Sequence, residues 1–267
     1  MQNLVVKLTL TPTLIAVISL LGRRWGPDVS GWLVGLPFTS GPIALLLALD
    51  HGAAFAAAAA QGILAGGFSE IAYCLAYAWL ARRWRWPATF AASAGIFLLV
   101  TFALRPITPP LLPLFACVLA SFALGQILFP PDRTGQTPIA PAISPRWEIV
   151  ARMVLATALV LVLTGLSTAL GPWLSGLLTP FPVFGTILAI FTQRYAGAEA
   201  TAKLLRGFAY GLFAFAAFFF TLAATLERAS IPVAFLLACL AAVLVQGTTY
   251  SILRRRGHAD LLIEEAA

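Results

Sequence analysis

Long apolar runs separated by short polar segments dominate the chain. Nine of them approach or exceed the ~20 residues with which a helix crosses the ~30 Å hydrocarbon core of a bilayer. Their apolar residues are continuous and do not alternate with polar ones, so the pattern predicts spanning helices and not the strands of a closed barrel. The nine predicted spans are residues 4–21, 31–49, 53–81, 88–104, 110–129, 149–170, 173–193, 200–226 and 231–253.

The composition agrees with a membrane protein and excludes several other classes. Of the 267 residues, 60% are hydrophobic and 10% are charged, and the mean hydropathy is +0.92. Soluble globular domains carry about 25% charged residues, and a chain with so few could not cover its apolar surface in water. A soluble enzyme, a secreted disulfide scaffold and a disordered chain are therefore excluded.

No residue pattern indicates catalysis, a cofactor or a metal site. The two histidines, His51 and His258, belong to no HExxH motif, and the chain has no GxSxG motif. Cys74, Cys117 and Cys239 lie far apart in apolar runs, which is typical of packing residues. The net charge of +7 comes from basic residues at the ends of apolar runs, so it predicts topology and contact with membrane lipid, and no nucleic-acid binding.

The basic residues also predict the orientation in the membrane. With nine spans, 14 of the 17 Lys and Arg residues fall on one side, and Lys7, Arg105 and Arg228 fall on the other. The positive-inside rule places the 14 in the cytoplasm. We therefore expect a multi-pass membrane protein with its N-terminus outside and its C-terminus in the cytoplasm. If the 110–129 run did not span, the division would fall to 11 against 6, which favours nine spans.

The two halves of the chain align when one is shifted by 145 residues. The shift places residues 26–37 (GPDVSGWLVGLP) on residues 171–182 (GPWLSGLLTPFP). Between residues 26 and 66 there are 12 identities in 41 positions without a gap, where a chain of this biased composition would give about four by chance. The same shift pairs Gly52 with Gly197, so one register persists through several predicted spans.

The number of spans makes this repeat an inverted one. Four spans return the chain to the side on which it started, and the fifth carries it across, so the second repeat begins on the opposite face. The sequence thus predicts an all-α, polytopic fold with a four-plus-one-plus-four inverted-topology repeat. Its predicted parts are a first repeat (1–108), a linker helix with a Pro-rich cytoplasmic loop (109–146), a second repeat (147–256) and a cytoplasmic tail (257–267).

Prolines interrupt the second and the seventh predicted spans at equivalent positions, residues 35–42 (GLPFTSGP) and 180–186 (PFPVFGT). Proline lacks the N–H that a helix needs, so the second break in particular frees the carbonyls of Gly176 and Leu178. Free carbonyls must face protein, water or a ligand. Such matched breaks are typical of a binding site near the midplane, where we expect the two segments to meet; ordinary proline kinks are the alternative. The candidate pathway residues in the breaks are Pro37, Thr39, Ser40, Gly41, Pro42, Pro180, Pro182 and Gly185.

Glu70 is the only acidic residue deep inside a predicted span. A carboxyl group at this depth is rare and indicates a function. Because burial disfavours the charged form, we expect a neutral carboxylic acid. Tyr73, Cys74 and Tyr77 share its helix face, and Tyr73 joins it as a pathway candidate. The repeat mate of Glu70 is Phe215, so its role would belong to one repeat only. The alternative is a glutamic acid that merely bonds a neighbouring helix.

A polar stripe begins the eighth predicted span. The i,i+4 spacing pairs Glu199 with Lys203, and Arg206 and Tyr210 continue the stripe. Two interpretations remain open for the basic pair, Lys203 and Arg206. They form either an interfacial anchor with side chains that reach toward the headgroups or a basic cytoplasmic vestibule for an anion or lipid headgroup.

Small residues at four-residue spacing predict close helix packing. Gly62 and Gly66 form one Gly-x-x-x-Gly pattern, and Gly207 and Gly211 form its repeat mate. Such patterns let two helix backbones approach closely, so we interpret all four glycines as structural.

The second repeat contains the run SGLLTPFPVFGTILAIFTQRYAGAEATAKLLRGFAYGLFAF, with ERASIPVAF further on. This sequence resembles the GlpM family of small four-helix bacterial inner-membrane proteins, and the similarity is best over residues 171–235. The first repeat departs from it, with LPFTSGP where the family has a Phe-Pro pair. The resemblance implies a membrane location and a four-helix unit, here duplicated and fused, and it implies no activity. The family-like positions are Gly176, Phe181, Pro182, Gly197, Arg206, Pro232 and Phe235.

Two functions fit these observations. The first is a small secondary transporter of an unknown small molecule or lipid, with proton coupling through Glu70 as an option and its site at the two breaks. The second is a non-transporting membrane protein that assists an envelope or polysaccharide assembly complex. A polar cavity at the breaks would favour transport, and breaks packed dry by Phe and Leu would favour the second function. Neither requires an enzyme or a cofactor, and the protein would be a monomer or a homodimer.

Overall fold

A computed structural model describes residues 36–37, 40–131 and 147–265 of the chain. Within these ranges the protein is all-helical, with seven helices and no strand. The helices are α1 (Ser40–His51), α2 (Ala53–Leu80), α3 (Trp86–Leu104), α4 (Leu111–Leu128), α5 (Trp147–Leu178), α6 (Val183–Thr225) and α7 (Ile231–Glu265).

The described helices have the apolar character of a membrane protein. Five segments are long and apolar enough to cross a bilayer, namely Ala53–Leu80, Trp86–Leu104, Leu111–Leu128, Gly185–Thr225 and Ile231–Thr248. Helices α2, α3 and α4 coincide within two residues with the third, fourth and fifth predicted spans. The first predicted span, 4–21, and the start of the second, 31–35, lie outside the described residues.

Three glycines bend the chain between helical segments. Gly52 (φ 86°, ψ 173°) separates α1 from α2, Gly171 (φ 73°, ψ 169°) lies within α5, and Gly197 (φ 85°, ψ −179°) lies within α6. This combination of a positive φ and an extended ψ is essentially open to glycine alone. The two glycines that the 145-residue shift pairs, Gly52 and Gly197, therefore adopt the same unusual conformation.

The seventh predicted span, 173–193, is two helical pieces and not one helix. The first piece, residues 172–178, is the part of α5 that follows Gly171, and we call it α5b. The second piece, residues 183–196, is the part of α6 that precedes Gly197, and we call it α6a. The remainder of α6, residues 198–225, is α6b. The proline break and Gly197 thus divide a stretch of chain that hydropathy alone predicts to be continuous helix.

Helix α2 is central, and the direction of its neighbours can be followed from their contacts. Along its length it meets α5b and then α6a. A Cβ placed on Gly62 would lie 2.5 Å from the carbonyl oxygen of Trp173. Further along, Gln193 bonds the carbonyl of Trp84, just beyond the end of α2. The two pieces of the seventh span therefore continue in one direction, parallel to α2, and do not turn back as a re-entrant hairpin.

Helix α4 also runs parallel to α2. Gln61 of α2 donates to the carbonyl of Pro109, just before α4, over 2.6 Å, and Trp79 donates to the carbonyl of Leu128 at its end over 3.0 Å. Helix α6b crosses α4 in the opposite direction. The ring centroids of Phe213 and Phe122 lie 5.7 Å apart, and those of Phe220 and Phe115 lie 4.3 Å apart. These directions are the ones that the predicted order of spans requires.

Several helix boundaries recur at the 145-residue offset. Helix α2 ends at Leu80 and α6 ends at Thr225, while α3 begins at Trp86 and α7 begins at Ile231. Because each pair differs by the same number as Gly52 and Gly197, the long helix stops and the helix after it starts at equivalent residues in both halves.

Glycines allow a close backbone contact between α2 and α5b. Gly176 of α5b lies against Ala59 and Gly62 of α2 so tightly that a Cβ on either glycine would overlap backbone atoms of the other helix. A Cβ on Gly66 would lie 2.5 Å from the ring of Pro180. The structural role predicted for Gly62 and Gly66 is thereby confirmed, because only residues without a side chain permit this crossing.

Candidate functional site

The break in the seventh span lies where its prolines predict it. Helix α5 ends at Leu178, and α6 begins at Val183 with Pro182 as its N-cap residue. Pro180 and Pro182 are both buried. Gly185 lies in the first turn of α6, just after the break, and is buried against the ring of Phe208.

The two carbonyls that we expected to be free in this break both accept hydrogen bonds. The N–H of Thr179 donates to the carbonyl of Gly176 over 3.1 Å, and the N–H of Phe181 donates to that of Leu178 over 3.3 Å. Bonds between residues three apart commonly tighten the last turn of a helix and satisfy its terminal carbonyls. The prediction that these two carbonyls are free was wrong, because it considered only hydrogen bonds between residues four apart.

The break in the second span lies partly outside the described residues, which include Pro37 and the residues from Ser40 onward. Helix α1 begins at Ser40, which is buried, and the carbonyl of half-buried Pro37 accepts a bond from the N–H of Gly41 over 2.7 Å. Pro42 directly follows Gly41 and has no N–H, so it cannot donate the next bond of this turn. The helix nevertheless continues from Ser40 to His51. Thr39 lies outside the described residues.

Aromatic rings pack the break in the seventh span. The ring of Phe181 meets Tyr73 of α2 and Phe97 of α3 edge-on, with centroid distances of 6.1 and 5.2 Å. Edge-to-face pairs at these distances are favourable contacts. Close to Phe181 the break is thus covered by rings.

One hydrogen bond joins the break to α2. The hydroxyl groups of Tyr73 and Thr186 lie 2.7 Å apart, and both residues are buried. The equivalent place in the other half is apolar, since a Cβ on Gly41 would lie 3.7 Å from the ring of Phe218. Each break therefore lies against a long helix from the other half of the chain. That the two breaks meet each other stays a prediction.

Glu70 is buried in the middle of α2, one turn before Tyr73. Only 5% of its surface is exposed, and its Oε2 atom has no hydrogen-bond partner among the described residues. Tyr77, two turns further along the same face, is fully buried, and its hydroxyl group likewise has no partner within those ranges. Buried polar atoms without partners are rare and mark places that need a physical explanation.

Arg206 of the basic pair is directed into the protein. Its Nη2 donates to the carbonyl of Gln126 near the end of α4 over 3.0 Å, and its guanidinium lies 6.0 Å from the ring centroid of Phe129. A cation near the C-terminal end of a helix is favourable, because the last carbonyls carry partial negative charge. Arg206 and Lys203 are both half-buried. The choice between anchor and vestibule stays open for Lys203.

Sequence reasoning missed the polar contacts at the end of α2. Nη2 of Arg82 lies 2.8 Å from Oε2 of Glu199, which the helical spacing had paired with Lys203, and it also donates to the carbonyl of Pro131 over 2.6 Å. Gln193 donates to the carbonyl of Trp84 over 2.8 Å. The sequence signal for these contacts was limited to Gln193 and Glu199, two polar residues on either side of Gly197. Their partners lie more than a hundred residues away in the sequence.

Comparison with protein-family models, with curated proteins and with solved structures finds no significant match for this chain. Its functional assignment therefore rests on the residues and contacts described above.

Proposed function

We propose that the chain is a nine-helix bacterial inner-membrane protein built as an inverted repeat, with its N-terminus outside and its C-terminus in the cytoplasm. The matching helix ends and the matching conformations of Gly52 and Gly197 support the repeat. The resemblance of residues 171–235 to the GlpM family supports the four-helix unit. The 14-to-3 division of basic residues supports the orientation.

Contacts that exchange partners between the halves support the inversion. Tyr73 of the first half contacts Thr186 of the second, while Phe218 of the second contacts Gly41 of the first. Adding 145 to Tyr73 and to Gly41 gives Phe218 and Thr186, so the second contact is the first with the halves exchanged. Such a pair of contacts is what a two-fold relation between the repeats produces.

The linker helix α4 supports the same two-fold relation. Gln61 bonds the chain at its beginning, through the carbonyl of Pro109, and Arg206 bonds it near its end, through the carbonyl of Gln126. Gln61 and Arg206 are equivalent under the 145-residue shift. Equivalent residues therefore hold opposite ends of α4, as expected if the axis relating the repeats passes through its middle.

We infer that this protein is a secondary transporter in which Glu70 binds and releases the coupled proton. The observation that carries the inference is a carboxyl group buried mid-helix, beside a broken span, with an oxygen that has no partner in the described residues. In a membrane interior such groups pair with one another or lie on ion and proton pathways. Broken helices at matching positions of inverted repeats are where transporters place their sites. The substrate, a small molecule or lipid, would bind between the breaks.

A pH jump tests proton binding without knowledge of the substrate. Proteoliposomes adsorbed on a solid-supported membrane are exposed to a rapid change of external pH, and the transient current reports protons that enter the protein. We expect the wild type to give a current. Glu70→Gln should abolish it while folding normally, because the amide keeps the shape of the acid and cannot titrate. Glu227→Gln, at an exposed position just after α6, is the matched control and should keep the current. A full current in Glu70→Gln would refute the assignment.

A second candidate function is that of a non-transporting subunit or assistant of an envelope assembly complex. The rings of Phe181, Tyr73 and Phe97 favour it, because they fill the space beside the break in the seventh span. In this case neither the wild type nor Glu70→Gln would show a pH-jump current. Glu70→Leu would also melt at or above the temperature of the wild type, since a buried acid without a function is replaced by a better packing residue.

A further inference from the structure

The glycine hinge between α6a and α6b is fastened to the end of α2 from both sides. Gln193, four residues before Gly197, donates to the carbonyl of Trp84 over 2.8 Å. Glu199, two residues after Gly197, pairs with Arg82 over 2.8 Å. The ion pair is largely shielded, with 11% of the Arg82 side chain and 28% of the Glu199 side chain exposed. We call these two contacts the clamp.

The equivalent hinge in the first half has no clamp. Gly52 has the same backbone conformation as Gly197, and the residues equivalent to Gln193 and Glu199 are Ala48 and Ala54. Alanine can make neither a side-chain hydrogen bond nor an ion pair. The two contacts of the clamp therefore have no counterpart at Ala48 and Ala54.

Among the described residues, the clamp leaves some buried polar atoms without hydrogen-bond partners. A permanently closed contact would provide partners for these atoms. Nε and Nη1 of Arg82 and Oε1 of Gln193 have no partner in the part of the chain that the structure describes. An arrangement with unused donors and acceptors costs free energy relative to one in which water reaches them. Separation of the clamp would therefore be compensated in part by hydration of these atoms.

We propose that the clamp is a gate, which closes the Arg82 end of the route to Glu70 and opens when α6a and the corner at Gly197, with Gln193 and Glu199 on either side of it, move away from the end of α2. The proposal rests on the proposed function, since a gate presupposes a route. Thr186 of α6a bonds Tyr73, one turn from Glu70, so movement of α6a uncovers the face of α2 that carries the acid. Breaking the clamp shifts the protein toward the state that is open at this end.

Cys74 provides a native reporter of the gate. It is fully buried one turn after Glu70 on the same helix, and the other cysteines, Cys117 and Cys239, are exposed and can be replaced by serine. The probe is a permanently charged methanethiosulfonate, which does not cross membranes. It is added to inverted membrane vesicles, whose outer surface is the cytoplasmic face, and intact-mass spectrometry gives the rate of Cys74 modification.

Glu199→Gln removes the charge and keeps the shape of the side chain. We expect it to raise the rate of Cys74 modification about tenfold, the factor that corresponds to loss of about 1.4 kcal/mol from a shielded, charge-assisted contact. The matched control is Arg83→Gln, which removes a charge from an exposed residue at the same helix end. Exchanging the partners, Arg82→Glu with Glu199→Arg, should restore slow modification.

If Cys74 is modified at the same rate in Glu199→Gln and in Arg83→Gln, the gate is refuted. This holds whether the probe modifies both proteins or neither of them. Fast modification that persists in the exchanged pair would overturn the role of the ion pair and indicate general loosening. The assay needs no proton coupling, so its outcome is separate from the pH-jump current. If Cys74 modification depends on the clamp but the pH-jump current is absent, the function of Glu70 is refuted. If the current is present but modification does not depend on the clamp, only the gating role of the clamp is refuted.

Discussion

Replacing Gly62 with alanine should destabilise the protein through one backbone crossing. A Cβ at this position would lie 2.5 Å from the carbonyl oxygen of Trp173 and 3.1 Å from the Cα of Gly176, where ordinary contacts begin at 3.4 Å. Helices α2 and α5b would have to separate by about 1 Å, because both clashing groups are backbone and cannot rotate away. Overpacking of this kind costs about 1–3 kcal/mol, and here we take the upper value.

The helix propensity of alanine offsets part of this cost. Alanine is favoured over glycine within a helix by about 1 kcal/mol, so the net loss for Gly62→Ala is about 2 kcal/mol. The matched control is Gly95→Ala in α3, where an added Cβ has no atom within 4 Å among its described surroundings. This variant gains the propensity without the clash, so it should be stabilised by about 1 kcal/mol.

Thermal melting followed by intrinsic tryptophan fluorescence in detergent measures the difference. With a shift of ~2–4 °C per kcal/mol for a chain of this size, Gly62→Ala should melt ~4–8 °C below the wild type and Gly95→Ala ~2–4 °C above it. Adding Gly176→Ala to Gly62→Ala should cost less than the sum of the two, because both act on one crossing. If Gly62→Ala melts as high as Gly95→Ala, the crossing is not as close as the structure describes it.

Three further predictions concern topology, the hydrogen bond at the break and the hinge. Reporter fusions near residue 108 should read periplasmic and fusions after residue 256 cytoplasmic; the reverse result would contradict the orientation and the inverted repeat. A double-mutant cycle with Tyr73→Phe and Thr186→Val should give a coupling free energy of about 1 kcal/mol in melting experiments, and additive effects would show that the bond contributes nothing. Gly52→Ala should lower the melting temperature by strain alone, since its φ of 86° suits only glycine and no atom lies within 4 Å of an added Cβ; melting equal to that of Gly95→Ala would argue against this conformation.

The sequence by itself predicted most of the helices that the structure describes. In hydrocarbon every backbone group needs an internal partner, so a long apolar run such as 53–81 has few alternatives to a helix. The proposed repeat rests on the same pattern, because the identities at the 145-residue offset include glycines and prolines, which few other residues can replace. The depth of Glu70 follows from counting residues along a helix, and the break between Leu178 and Val183 follows from its prolines.

Tertiary structure alone decided which side chains meet. Glu199 could pair with Lys203 one turn away, yet the structure brings Arg82 to it from a helix more than a hundred residues earlier. The partner depends on how α2 and the broken span lie side by side, and that alignment is set by the backbone contact at Gly62 and Gly176. The pattern of Gly62 and Gly66 predicts that another helix approaches closely, but it does not say which segment of the chain approaches. The same limit explains why the clamp on the Gly197 hinge emerged only from the folded chain.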